Sequence, residues 1–110
     1  MAYEQGDVVW AWIPFTNGTG GAEKPVVVVS TRRRNRGKDI TVGQLTSQVA
    51  KARRRGEYVL RHWQEAKLDR AKAFRPKLFV ILKGRVQRRI GHLHDDDKAG
   101  MLASIREIFE

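Results

Sequence analysis

Between a glycine-rich stretch and four consecutive valines, in GGAEKPVVVVS (20–30), stands a single lysine, Lys24. Four valines in a row predict a strand buried on both faces, since an exposed face alternates with polar residues. Pro25 is expected at the first residue of that strand, where its missing N–H removes no ladder bond. Lys24 is then a cation held at the mouth of a rigid element, beside a loop that can admit a ligand. A solvated lysine at a loop end is the alternative, and the rest of the chain has to decide between them.

Charge decides the class of ligand. The net charge is +10, from 22 Lys+Arg against 12 Asp+Glu. Nineteen of the bases lie between Arg32 and Arg89, where only Asp39, Glu57, Glu65 and Asp69 oppose them. They gather as RRRNRGK (32–38), KARRR (51–55) and KGRVQRR (83–89). A phosphate polymer is the natural partner of such a field, because each neutralised phosphate releases counterions. An anionic membrane is excluded as partner, since no stretch joins a basic face to a broad apolar helical face.

Other chemistry is limited by what the chain lacks. It has no cysteine, hence neither a disulfide framework nor a thiolate zinc site. HLHDDD (92–97) carries two histidines and three carboxylates, but only one further histidine exists to complete a ligand set. The acids are better explained as the cap and first turn of a helix, and neither a metal nor a cofactor is expected. No apolar run approaches the roughly 20 residues of a membrane-spanning helix. The N-terminal MAYEQGDVVW shows no secretory leader, so a cytoplasmic protein is expected.

The elements that must position these residues read as follows. With 110 residues the chain is expected to be one domain, 1–110. Strands are predicted over 6–15, 25–30, 40–47 with a bulge at Gly43, 57–63 and 76–84, the last again entered at a proline. TNGTGGAE (16–23) is a flexible loop, 31–39 a basic turn and 48–57 a basic loop. Residues 64–74 fit a short helix or an irregular connection, and 84–93 either a strand or the start of a helix. From 95 to 109 an acidic first turn is followed by Met101, Leu102, Ile105 and Ile108 at helical spacing. Short strands closed by one helix predict a mainly β fold, a small curled barrel with the helix packed on it.

GDVVW, the glycine loop, KPVVVVS and QLTSQ follow in order, and the chain closes with IGHLHDDDKAGMLASIREIF. This series resembles the MazF/PemK group of bacterial toxin–antitoxin toxins over essentially the whole chain. HW followed by EAKL (62–68) is also similar to a W-x-x-A-G-L stretch of some members. The resemblance implies an SH3-like barrel of the CcdB/PemK type, acting as a homodimer. It implies a metal-independent, sequence-selective endoribonuclease that cuts single-stranded RNA to a 2′,3′-cyclic phosphate and a 5′-hydroxyl. It further implies a cognate antitoxin whose partly disordered tail wraps the active groove.

Carried over residue by residue, Lys24 occupies the place of the family's arginine, which steadies the phosphate under attack. A lysine there keeps the charge and loses the bidentate fork. Thr46 and Ser47 match the Thr or Ser that lines the scissile phosphate. Arg75 matches a second arginine, while Lys77 stands where some members have an aspartate. Such cleavage needs a proton acceptor for the 2′-hydroxyl, a donor for the leaving oxygen and positive charge on the phosphate. Glu23 is the best-placed carboxylate by sequence, whereas His62 beside Trp63 reads as structural. Arg32, Arg33, Arg34, Arg53, Arg54, Arg55 and Lys77 are the expected RNA-binding cations. Trp10, Trp12 and Trp63 are the rings that could stack bases; Trp10 and Trp12 share one strand face, and with Trp10 expected in the core only one of that pair is free to do so. Two other functions suit the same fold: a nucleic-acid-binding barrel without catalysis, favoured by Lys24 and Lys77, and a gyrase poison. The net charge favours RNA over a protein surface.

Overall fold

A computed structural model describes residues 2–110. One six-stranded antiparallel sheet carries the fold, in the order β4-β5-β3-β2-β1-β6. Its strands are β1 (Asp7–Pro14), β2 (Gly21–Val28), β3 (Asp39–Thr46), β4 (Tyr58–Val59), β5 (Ala73–Leu82) and β6 (Val86–His92). Two α-helices interrupt them, α1 (Val49–Arg54) and the C-terminal α2 (Asp95–Glu107). The mainly β architecture closed by one helix is the one expected from the sequence. No helix among the described residues is long and apolar enough to cross a membrane.

Alternation sorts the strands into two apolar layers. Val9, Ala11 and Ile13 of β1 meet Val26, Val28, Ile40, Val42 and Ile81 inside the curl of the sheet. Val8, Val27 and Phe74 point the other way, where Leu60, Leu68, Leu93 and Met101 cover them. The four valines 26–29 are all buried because a layer lies on each face. Leu102 and Ile105 follow Met101 on the packed side of α2, but Ile108 is half exposed.

Asp97 ties the second layer together. Its carboxylate is fully buried and accepts from the Tyr58 hydroxyl (2.7 Å), the Arg61 N–H (2.9 Å) and the His62 N–H (2.8 Å). The acidic run is thus more than a helix start. The N-cap itself is His94, whose Nδ1 accepts from the Asp96 N–H, and Asp95–Asp97 fill the first turn. Burial and the Asp97 carboxylate push the Tyr58 hydroxyl up to about 12.

Several boundaries differ from the sequence expectation, each for a physical reason. β2 begins at Gly21, four residues before Pro25, because 21–24 pair with β1 alone. Pairing with β3 starts only at Val26, so Pro25 still leaves no ladder bond unmade on that side. β5 likewise begins at Ala73, and Pro76 lies inside it. There Gly43 pairs with Leu78 but Gln44 with Arg75, so Pro76 and Lys77 are extra residues on β5. The irregularity foreseen at Gly43 is real, with the additional residues on the partner strand. Gly43 is required because a Cβ there would press into the Phe74 ring.

The predicted strand over 57–63 shrinks to Tyr58–Val59, since the backbone beyond it turns to meet Asp97. The basic loop contains α1, which buries only Ala52 and leaves its cations in solvent. Residues 64–72 are irregular, and 86–92 resolve as a strand because β1 offers a free edge.

Candidate functional site

Register assembles the candidate site. Val26 of β2 pairs with Gln44 of β3, and Gln44 pairs with Arg75 of β5. Paired residues share a face, as do residues two apart on one strand. Lys24, Gln44, Thr46 and Arg75 therefore lie on the same face of three adjacent strands. Extending the β2–β3 register by two residues would set Lys24 opposite Thr46.

Three cations meet there. Burial lowers the Lys24 ammonium below its ordinary value, and the nearby charges of Lys77 and then Arg75 lower it further. Lys24, Lys77 and Gln44 line a hollow of about 400 Å³ with Phe15, Thr16 and Asn17 of the β1–β2 loop. The extra residues of β5 bring Lys77 to this wall, a placement that sequence spacing alone does not reveal.

Around Arg75 lies a second, tighter hollow shared with Thr46, Gln48, Lys51, Arg55 and Glu57. The Arg75 Nε donates to Glu57 Oε2 at 3.3 Å, while the other oxygen of Glu57 is buried and has no hydrogen-bond partner. Thr46 Oγ1 accepts from the Gln48 N–H at 3.1 Å, leaving its own hydrogen available to an acceptor. Gln44 and Glu57 were not singled out by the sequence. Glu57 was visible there only as one of four acids within the basic region, and Gln44 only as the first residue of QLTSQ, with no role attached to it.

Of the remaining expected site residues Arg55 lines that second hollow, and the others lie elsewhere. Glu23 follows the alternation to the opposite face of β2 from Lys24, where it accepts from the Trp10 indole N–H at 3.1 Å. Ser47 is one residue out of phase with Thr46, and its Oγ accepts from the Lys72 ammonium at 2.9 Å. Arg53, Arg54 and Arg55 stand in and just after α1, next to the Thr46 end of β3. Arg32, Arg33 and Arg34 lie past the far end of β2, whose last residue Val28 is about 13 Å of strand from Lys24. There Arg32 pairs with Glu4 at 3.7 Å.

Trp10 departs from its expected burial. It shares its face with Trp12 as foreseen, but both are only partly buried, because the inner positions of β1 are taken by Val9, Ala11 and Ile13. Trp12 is the occupied ring. The Arg85 guanidinium lies 4.5 Å from its centroid, and its plane covers Gly21, where a Cβ would collide with it.

The histidines have structural partners. His62 and His94 stack with centroids 3.9 Å apart and planes at 26°, next to Glu65. One ligand atom each of His62, Glu65 and His94 lie within 4.8 Å of one another, but His94 Nδ1 is engaged in capping α2. This geometry suits a ring stack better than a metal. His92 Nδ1 bonds the buried Asp7 at 2.8 Å.

A family model described as PemK-like, MazF-like toxin of type II toxin–antitoxin system matches residues 4–109. No curated protein matches the sequence. Among solved structures, the fold is similar to an endoribonuclease in complex with its cognate antitoxin from a mycobacterial species. The TM-score is 0.71 at 16% identity, covering 98% of this chain and 93% of that one. It is also similar to MazE-MazF (Form-III) from Deinococcus radiodurans, with TM-score 0.76 and 14% identity over 99% and 97% of the two chains. At these identities the likeness establishes the fold, and the site must be argued from its own residues.

Proposed function

The chain belongs to the PemK-like, MazF-like toxins of type II toxin–antitoxin systems, and from that premise we propose that it is an endoribonuclease cutting single-stranded RNA. The supporting observation is the convergence of Lys24, Lys77 and Arg75 on one face, close enough for the latter two to lower the Lys24 ammonium. Like charges crowded together raise the energy of the empty site, and a phosphate between them removes the repulsion.

In this reading the RNA supplies its own nucleophile, the ribose 2′-hydroxyl. It loses its proton as it bonds to the adjacent phosphorus, and the expelled 5′-oxygen of the next nucleotide takes one up, leaving a 2′,3′-cyclic phosphate and a 5′-hydroxyl with no net change in protons. Lys24 and Arg75 neutralise the charge that grows on the phosphate oxygens. Thr46 donates its free hydroxyl hydrogen to one of them. Glu57 holds Arg75 through Nε, so the two terminal amino groups of the guanidinium face the substrate. Glu57 is a positioning residue here, and its other, buried oxygen has no hydrogen-bond partner. Glu23, engaged with Trp10, serves the other face. None of these steps calls on a metal.

The chain acts as a homodimer in the cytoplasm and is silenced by a cognate antitoxin. Leu78, Val80 and Leu82 form an apolar row on β5, 37%, 67% and 59% exposed, which a second copy would cover. An acidic antitoxin tail suits a chain of net charge +10.

The test is cleavage of a long mixed-sequence RNA in excess EDTA, with product ends identified. Cyclic phosphate and 5′-hydroxyl ends from wild type, lost in Lys24→Ala, are the expected result. Tight RNA binding with no cleavage would mean that the barrel only binds, and cleavage that EDTA abolishes would replace this mechanism.

A further inference from the structure

The face of the sheet opposite Lys24 carries a second opening. Residues 60–68 and α2 cover that face at Val8 and Val27, but the cover ends at Trp10 and Pro25. Between these two and the Lys67–Lys72 segment lies a cavity of about 370 Å³, within the range of pockets that hold small molecules. Its apolar walls are the Trp10 indole, Pro25, Leu68 and Ile90. Lys67, Arg70, Lys72 and Arg88 rim it, and Asp69, 3.5 Å from Arg70, is the one carboxylate in the lining.

We propose that this cavity is a nucleotide subsite: one base of single-stranded RNA stacks on Trp10, and its phosphate rests on Arg88 and Lys72. The inference rests on the RNA reading above. Stacking needs a flat ring held in one orientation, and Trp10 has one, because its N–H is pinned to Glu23 at 3.1 Å. Its neighbour Trp12 is already covered by Arg85, so Trp10 is the ring left for a ligand. Arg88 pairs directly with Trp10 across β1 and β6 and shares its face, which sets a guanidinium beside the ring edge. Lys72 borders this cavity and also donates to Ser47, next to Thr46. A strand leaving the catalytic face at Thr46 therefore meets Lys72 first and the Trp10 cavity next. Lys67 stands in the lining with φ 63°, the only non-glycine residue described in the left-handed region. Such backbone conformations persist only where surroundings hold them, and they cluster at binding sites. An acidic peptide could satisfy the cations, but it leaves the fixed indole plane without a matching flat partner.

The test separates this subsite from the cleavage reading. A 2′-O-methyl oligonucleotide of about ten residues cannot be cut and is long enough to reach both faces. Its affinity for wild type, Trp10→Leu and Arg88→Glu is measured by fluorescence anisotropy, with each variant's fold checked by circular dichroism. Affinity is expected to fall about tenfold or more in either variant, the scale for losing one stacked base. A 5-iodouridine version, irradiated with wild type, should crosslink to Trp10, a readout that needs no variant. Wild-type affinity in both folded variants, or a crosslink confined to other residues, would overturn the subsite. So would a variant that loses only an acidic antitoxin peptide, which would make the cavity a protein-docking site. If wild type fails to cut RNA yet crosslinks at Trp10, the subsite stands and the cleavage reading falls. If wild type cuts RNA and both variants bind and cut equally well, cleavage stands and the subsite falls.

Discussion

Gln44 stands directly opposite Arg75 across the β3–β5 ladder. On its other side it pairs with Val26, two residues along β2 from Lys24. Gln44 thus joins a guanidinium on one strand to an ammonium on another, 51 positions apart in sequence. The cationic site is a product of register, and a slip of one residue would send each member to the opposite face.

Lys24→Ala is expected to lower RNA cleavage by roughly 10²-fold or more, the scale for losing one preorganised charge donor. Lys24→Arg should keep or raise activity, because the guanidinium restores a bidentate grip. Stability should move the other way. The folded protein lowers the Lys24 ammonium from 10.5, so its charged form is penalised at neutral pH and relieved as pH rises through that range. Lys24→Met should therefore melt higher than wild type at pH 7 in scanning calorimetry. An equal or lower melting temperature would contradict the crowding of Lys24 with Lys77 and Arg75.

Salt dependence distinguishes the basic clusters. Affinity for a short single-stranded RNA should fall with salt with a log–log slope of several units. Neutralising Arg53, Arg54 and Arg55, beside the Thr46 end of β3, should flatten that slope. Neutralising Arg32, Arg33 and Arg34 at the far end of β2 should change it little for a short RNA and more for a long one. Equal effects of the two triplets on the short RNA would place its path elsewhere.

Asp97→Ala should destabilise the chain by about 3 kcal/mol or more in urea titration, since it strands two backbone N–H groups and a hydroxyl. Asp97→Asn keeps one acceptor oxygen and should lie in between. A cost below about 1 kcal/mol would show that the 58–62 segment holds its course without this carboxylate.

A pH window follows from Tyr58. Its hydroxyl is raised from 10.0 to about 12 in the folded state, so the protonated form is favoured there. The corresponding stability is fully present below pH 10 and is lost as pH rises from 10 towards 12. Thermal unfolding across that window should show a decline that is smaller in Tyr58→Phe.

Association is checked at Val80, the most exposed member of the β5 row. Wild type should sediment as a dimer at micromolar concentration, and Val80→Glu should give the 12.6 kDa monomer. A Val80→Glu variant that remains a dimer would move the interface off β5.

The sequence by itself determined the class of fold and, through the resemblance carried by GDVVW, KPVVVVS and QLTSQ, the family. The fold class rests on local pattern: four valines that must be buried and a helical repeat after an acidic turn. The excess of 22 cations over 12 acids favours a polyanion as partner. Lys24, Thr46 and Arg75 were reached there as candidates through the resemblance to the family. What only the tertiary structure decided is which residues share a face. Strand side chains alternate, so Glu23 and Lys24, neighbours in sequence, serve opposite sides of β2, and Thr46 and Ser47 part in the same way. Gln44 lay in QLTSQ and Glu57 among the acids of the basic region without a role, since only register and a turn of chain bring them to Arg75. Pro76 and Lys77 bulge out of β5 where the Phe74 ring lies on Gly43, a contact between strands that no sequence window contains. Trp10 is open rather than buried for the same reason. The cover of its face is supplied by residues 60–72, and where that cover ends is a matter of packing.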